Sequence, residues 1–222
     1  MFVQFLVEDA SGEVLIRAVM EKYKNENSNN IGYDIKSYKG IGNYKKSSDA
    51  KNVKSEYLLN DLQKRLKAFT VALKYIERAS VFIVIDNDDR NTDEFRAELF
   101  ELSQNNNISV DHVYCIAIEE IEAWLLGDIN AMQSAYPEYK DRISSKHSNY
   151  MQDSICGTWE VLADILTKDG IGQFKKENPT FVEVGKRKSE WAERIGFYLN
   201  IKDNISPSFR YFIDELDIRN FI

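Results

Sequence analysis

Val81-Phe82-Ile83-Val84-Ile85 runs directly into Asp86-Asn87-Asp88-Asp89, five apolar residues halted by three carboxylates. Five β-branched or aromatic residues without a polar interruption read as a strand buried on both faces, as in the middle of a parallel sheet. In open α/β sheets ligands bind beyond the carboxyl ends of the strands, so the acids after Ile85 mark the edge where a site belongs. Like charges this close repel unless a positive group stands between them. A hard divalent cation such as Mg²⁺, which takes oxygen ligands, is the simplest such group.

The same arrangement recurs on either side of this stretch. Phe2-Val3-Gln4-Phe5-Leu6-Val7 predicts a first strand that ends in Glu8-Asp9. Val14, Leu15, Ala18 and Val19 then recur at helical spacing up to Tyr23, with Ser11 as the expected N-cap. A helix dipole alone would favour acids at such a start. Residues 33–39 predict a second, less buried strand, and 55–78 a long amphipathic helix carrying Leu58, Leu59, Leu62, Leu66, Phe69, Leu73 and Ile76. After a helix from Thr92 to Leu102, residues 110–118 predict a fourth strand, followed by Glu119, Glu120 and Glu122. The expected fold class is therefore α/β: a central, mostly parallel sheet of about four strands flanked by helices, with acids at three strand ends. That repetition at one edge outweighs the dipole explanation for Glu8 and Asp9.

Residues 1–135 hold the α/β pattern, and 136–222 read as a helical C-terminal extension packed on it. Its expected helices span 158–166, 186–198 and 207–216, with Trp159, Trp191, Phe209 and Phe212 as core rather than as a base-stacking platform. His147, in a polar stretch, reads as a surface residue. A hydrophobic fraction of 43% suffices for a core, and no apolar run is long enough to span a bilayer. Cys115 and Cys156 have neither metal-ligand spacing nor a disulfide framework, and with two histidines this argues against zinc and for a reducing cytoplasm.

The formal charge of −7 argues against a protein that coats nucleic acid by charge alone. It leaves room for an enzyme that acts on nucleic acid, because catalytic acids lower the net charge and bound metals reverse the local field. Basic residues do cluster at Lys36, Lys39, Lys45, Lys46, Lys51 and Lys54, and again at Lys186-Arg187-Lys188. Asp86 and Asp88, spaced Asp-x-Asp at a loop start, can turn toward one pocket. Glu8 could act as a metal ligand or as a general base, and lysines at 45, 46, 186 or 188 could neutralise a transferring phosphate.

Phe5-Leu6-Val7-Glu8-Asp9-Ala10-Ser11-Gly12-Glu13, the block Ile118-Glu119-Glu120-Ile121-Glu122-Ala123-Trp124-Leu125-Leu126-Gly127-Asp128, and the tail Asn204-Ile205-Ser206-Pro207-Ser208-Phe209 carry a family resemblance. Together with Asp86-x-Asp88 they resemble the Toprim fold of topoisomerases, primases and the overcoming-lysogenization-defect nucleases. Within it, they look like a group of small Toprim-like proteins of unassigned function commonly encoded beside ATPases and in defence gene clusters. The resemblance implies a Mg²⁺ (or Mn²⁺) site from Glu8, Asp86 and Asp88, with Glu122 as an additional acid and Lys188 as a phosphate contact. It implies a nuclease cutting DNA or RNA, with an ATPase as partner. One departure is that Asp9 stands where Toprim proteins usually have glycine. The competing expectations are a non-catalytic module docked on an ATPase, and a carboxylate-site phosphotransfer protein or phosphatase.

Overall fold

The computed structural model describes residues 1–27, 31–41, 57–104 and 108–221. Four strands, β1 (Phe2–Val7), β2 (Gly32–Ser37), β3 (Ala79–Asp86) and β4 (Asp111–Ala117), alternate with α1 (Ala10–Asn27), α2 (Leu62–Ala72) and α3 (Thr92–Gln104). A run of helices follows: α4 (Glu122–Leu126), α5 (Ile129–Ala135), a 3-10 turn (Pro137–Tyr139), α6 (Lys140–His147), α7 (Thr158–Leu166), α8 (Ile171–Glu177), α9 (Phe181–Tyr198) and α10 (Pro207–Phe221). The strands form one sheet in the order β2-β1-β3-β4, and every pairing is parallel. This is an α/β, Rossmann-like arrangement, as the strand patterns predict.

The pleat sends alternate side chains to opposite faces. Val3, Phe5 and Val7 of β1 join Phe82 and Val84 of β3, and Val113, Cys115 and Ala117 of β4, in one apolar core. Leu6, Val81, Ile83, Ile85, Tyr114 and Ile116 face a second core closed by Leu62 and Leu66 of α2 and by Phe95 and Leu99 of α3. Burial on both faces is why Val81 to Ile85 carries no polar residue. The first core takes α1 and the C-terminal helices together: Phe209, Phe212 and Leu216 of α10 pack with Phe5 and Phe82, so residues on both sides of position 135 share it.

Several helix limits differ from those expected. Among the described residues the helix expected over 55–78 runs from Leu62 to Ala72, and its first two positions, 55 and 56, lie outside them. Leu58 and Leu59 are buried from a turn, where their amides donate to the Gly40 and Ile41 carbonyls. Past Leu73 the chain turns back toward β3, leaving Tyr75 exposed. The α1 cap is Asp9, which accepts from the Gly12 amide at 2.8 Å and from the Ser11 hydroxyl, so Ser11 lies inside the first turn. α9 starts at Phe181 rather than at 186. A complete capping box made by Thr180 and Glu183 sets its beginning. The polar stretch that holds His147 contains α6, a helix that no apolar spacing predicts. Among the described residues both cysteines are free, and no helix is long and apolar enough to cross a membrane.

Candidate functional site

β1 and β3 are neighbours, yet the chain leaves β1 for β2 on one side and leaves β3 for β4 on the other. The crevice beyond their carboxyl ends is therefore the switch point of the sheet. Glu8 and Asp86 both emerge there. The Glu8 amide donates to the Val84 carbonyl, and its carboxylate Oε2 accepts the Asp86 amide at 3.0 Å. Burial pushes the Glu8 pKa up to about 7; the Asp86 amide opposes this, and the negative charges of Asp88 and Asp9 add to it. The Asp86 carboxyl is raised well above the usual range, first by burial and then by Glu8, with Lys188 pulling the other way.

The two aspartates of the Asp-x-Asp pair are treated differently. Asp88 has a left-handed backbone, φ +49°, and its exposed carboxylate holds Arg90 at 2.6 Å. Asn87 between them is fully buried. Its amide nitrogen donates to the Arg90 carbonyl and the Thr92 hydroxyl, and its side-chain oxygen accepts from the Glu119 amide. Asn87 therefore ties the ends of β3 and β4 together, pointing away from the crevice. Backbone bonds from Asn87 to Ala117 and from Asp88 to Glu119 complete the tie.

At the end of β4 the three acids also divide. Glu119, again left-handed at φ +60°, accepts the amides of Cys156, Gly157 and Thr158 and the Thr158 hydroxyl, so its carboxylate caps α7. Burial raises its pKa, but these hydrogen bonds outweigh it and leave the group below the usual range. Glu120 and Glu122 instead meet Lys188 of α9, whose Nζ lies 3.5 Å from Glu120 and 3.1 Å from Glu122. Glu122 is completely buried in the first turn of α4. Burial pushes Glu120 up to about 8, helped by Glu122 and opposed by Lys188; Glu122 is raised for the same first reason. Burial works against the Lys188 charge, and Glu122, Glu120, Asp86 and Asp9 more than offset that, raising its pKa.

The structure thus brings Glu8, Asp86, Glu122 and Lys188 to one crevice and leaves Asp88 at its rim. Glu120 was not singled out as a site residue from the sequence. Lys188 lies within α9 on the inward stripe shared with Val184 and Trp191. The Thr180-x-x-Glu183 signature, which places the start of α9, would have assigned it to that stripe. Lys45, Lys46, Lys51 and Lys54 fall outside the described residues.

The donors in the crevice suit a hard cation. They are carboxylate oxygens, and in Glu122 Oε2 meets the Lys188 ammonium while Oε1 has no side-chain partner among the described residues. As the side chains stand, no group of three His, Cys, Asp or Glu residues among those described is placed to hold a metal. The ammonium of Lys188 supplies the positive charge between the acids. A separate cleft of about 590 Å³ lies at the outer edge of β4 and is lined by Arg96, Phe100, His112, Tyr211 and Arg219. Arg219 there is already engaged by Asp111 and Glu215, and the site carboxylates are not part of it.

Fold and site together define a doubly wound α/β protein with a carboxylate and lysine crevice at its switch point. The chain belongs to the family described as Domain of unknown function (DUF4276), whose model matches residues 7–217. No curated protein and no solved structure gives a match.

Proposed function

We propose that the chain is a divalent-metal-dependent phosphodiesterase of the Toprim type, acting on nucleic acid. The observation that carries this reading is the meeting of Glu8 and Asp86 at the sheet's switch point, one carboxylate bonded to the other residue's amide. Mg²⁺ or Mn²⁺ would be held by Glu8 and Asp86, with Asp88 and Glu122 turning in to complete the set. When bound, the metal would polarise the phosphate and activate the attacking water. Glu8 fixes the geometry at the end of β1 and is the candidate base. Lys188 holds an ammonium beside the crevice, where it can neutralise a phosphate oxygen.

Wild-type protein incubated with Mg²⁺ should cut single- or double-stranded DNA or RNA, and EDTA should abolish this. Asp86→Asn should lower the rate at least about a hundredfold, while its thermal midpoint stays equal or rises, because a buried like charge is removed. Cleavage undiminished by EDTA or by Asp86→Asn would falsify the reading.

One observation favours a second reading, a non-catalytic partner module of an ATPase that keeps the acids without chemistry. Lys188 pairs with Glu120 and Glu122 and so compensates acids that a metal would otherwise have to balance. Calorimetric titration with Mn²⁺ separates the two: heat of binding that Asp86→Asn removes belongs to the phosphodiesterase, and its absence to the partner module.

A further inference from the structure

Among the described residues β4 is an outer strand of the sheet, and its sequence does nothing to blunt that edge. From His112 to Ile116 it reads His-Val-Tyr-Cys-Ile, without the proline, lysine or inward charge by which exposed edges avoid pairing. The Ala117 carbonyl accepts the Asn87 amide, so residue 117 and its alternates 115 and 113 turn their backbone groups toward β3. His112 and Tyr114 alternate with these and turn theirs outward. Among the described residues the outward amides and carbonyls of these two have no partner.

The cleft of about 590 Å³ follows this edge. Arg96 and Phe100 of α3 form one wall and Tyr211 and Glu215 of α10 the other, with Val113 and Tyr114 buried at the floor. The walls meet at one end, where the Arg96 guanidinium lies 5.0 Å from the centre of the Tyr211 ring. At the other end Arg219 of α10 reaches Asp111 at the start of β4. From Tyr211 to Arg219 is about 12 Å along a helix, the length of about four strand residues. The two ends differ in charge. Arg219 is shared by Asp111 and Glu215, two acids to one guanidinium, whereas Arg96 is exposed and has no acid within ion-pair distance among the described residues. Between them the Phe100 ring is exposed.

We infer that this cleft takes an extended segment of a partner protein, which adds to the sheet as a fifth strand beside β4. Its backbone pairs with the outward groups of His112 and Tyr114 at the usual strand spacing of about 4.8 Å. Charge complementarity fixes the ends of the segment: an acid meets Arg96, a base meets Asp111 and Glu215, and an apolar residue between them covers Phe100. A second copy of this chain does not fit the same place. Its own β4 is recessed between its own α3 and α10, so helices would meet helices before two such edges reached pairing distance. The inference is independent of the chemistry in the carboxylate crevice, which lies elsewhere on the sheet.

The probe is an acetylated and amidated hexapeptide, lysine first and glutamate last, with alternating threonine and valine between them. It is titrated to about 2 mM into the isotope-labelled full chain and followed by NMR, a range that detects millimolar binding. Amide exchange at His112 and Tyr114 should slow at least about tenfold on saturation. N-methylation of alternate peptide amides should abolish binding for one set and spare it for the other, because only one edge of a strand pairs. Arg96→Glu, an exposed change that should leave the thermal midpoint unaltered, should weaken the peptide about tenfold. A titration that leaves the β4 amides unmoved overturns the inference, as does equal binding of the two methylated peptides or full affinity in Arg96→Glu. Sedimentation of the chain alone is the last arm: a dimer in which the His112 and Tyr114 amides are already protected would give the edge to a second copy and overturn it too.

Discussion

Lys188 supplies the charge balance that the acids of the crevice require. Its side chain is 13% exposed and that of Glu122 is 1% exposed, so removing Lys188 would leave Glu122 as an unpaired buried charge. Lys188→Met should destabilise the fold by about 3 kcal/mol, and the double variant Lys188→Met/Glu122→Gln should recover part of that loss, Glu120 still lacking its cation. Urea unfolding of the four proteins measures the coupling; additive effects would show that the pair is not a unit. Asp88 shows the limit of reading a motif by spacing. Asp-x-Asp places both residues at a strand end, but a left-handed backbone at Asp88 turns its carboxylate to Arg90 and the solvent. No local sequence pattern sets that angle. It follows from the bond between the Asp88 amide and the Glu119 carbonyl of the next strand.

At the scale of elements, the two stretches that carry the family resemblance most specifically prove to be halves of one joint. Ile205 donates to the Gly127 carbonyl, Asn204 donates to the Trp124 carbonyl at 2.7 Å, and the Trp124 indole donates to Ser208 at 2.9 Å. Phe209 and Phe212 of α10 pack on the Trp124 ring. The joint holds α4, and with it Glu122, against the sheet. A Cβ on Gly127 would fall 2.1 Å from Asn204 Oδ1 and 2.9 Å from the Ser206 Cβ, so Gly127→Ala should cost more than about 2 kcal/mol. Thermal melts should show the loss; a midpoint within a degree of wild type would mean the joint is looser than it looks. The strands were legible because a buried parallel strand writes itself as an uninterrupted β-branched run. Helix ends were less so. The apolar spacing over 55–78 continues past Ala72, but the turn toward β3 ends α2 there, and the start of α9 lay in a capping box upstream of its apolar stripe.

For the molecule as a whole, four raised carboxyls at one edge give stability a characteristic pH dependence. Glu8 titrates at about 7 and Glu120 at about 8 when folded, and Asp86 and Glu122 are also raised, burial being the first cause in each case. Between the unfolded values, 4.5 for the glutamates and 3.8 for Asp86, and these folded values, the folded chain holds more protons than the unfolded one, so stability falls as pH rises. Asp111, Glu119 and Asp164 act oppositely at lower pH. Burial raises them, but hydrogen bonds and charges hold them below their usual range, so their contribution is lost on acidification. Without divalent ions the thermal midpoint should therefore peak near pH 5 and decline toward pH 8, and Glu8→Gln should flatten that decline. A midpoint that climbs from pH 5 to pH 8 would contradict the buried, mutually repelling carboxyls.

By itself the sequence determined that this is a parallel α/β fold with carboxylates at the ends of β1, β3 and β4, because an uninterrupted apolar run and the acids that halt it are adjacent in the chain. Tertiary structure alone decided which carboxylates serve the crevice: Glu8, Asp86 and Glu122 enter it, Glu119 caps α7, and Asp88 faces solvent. Those directions depend on backbone angles set by the neighbouring strand. The cation that meets the acids comes from Lys188 on α9, a helix placed by the packing of the far end of the chain rather than by any pattern beside the acids.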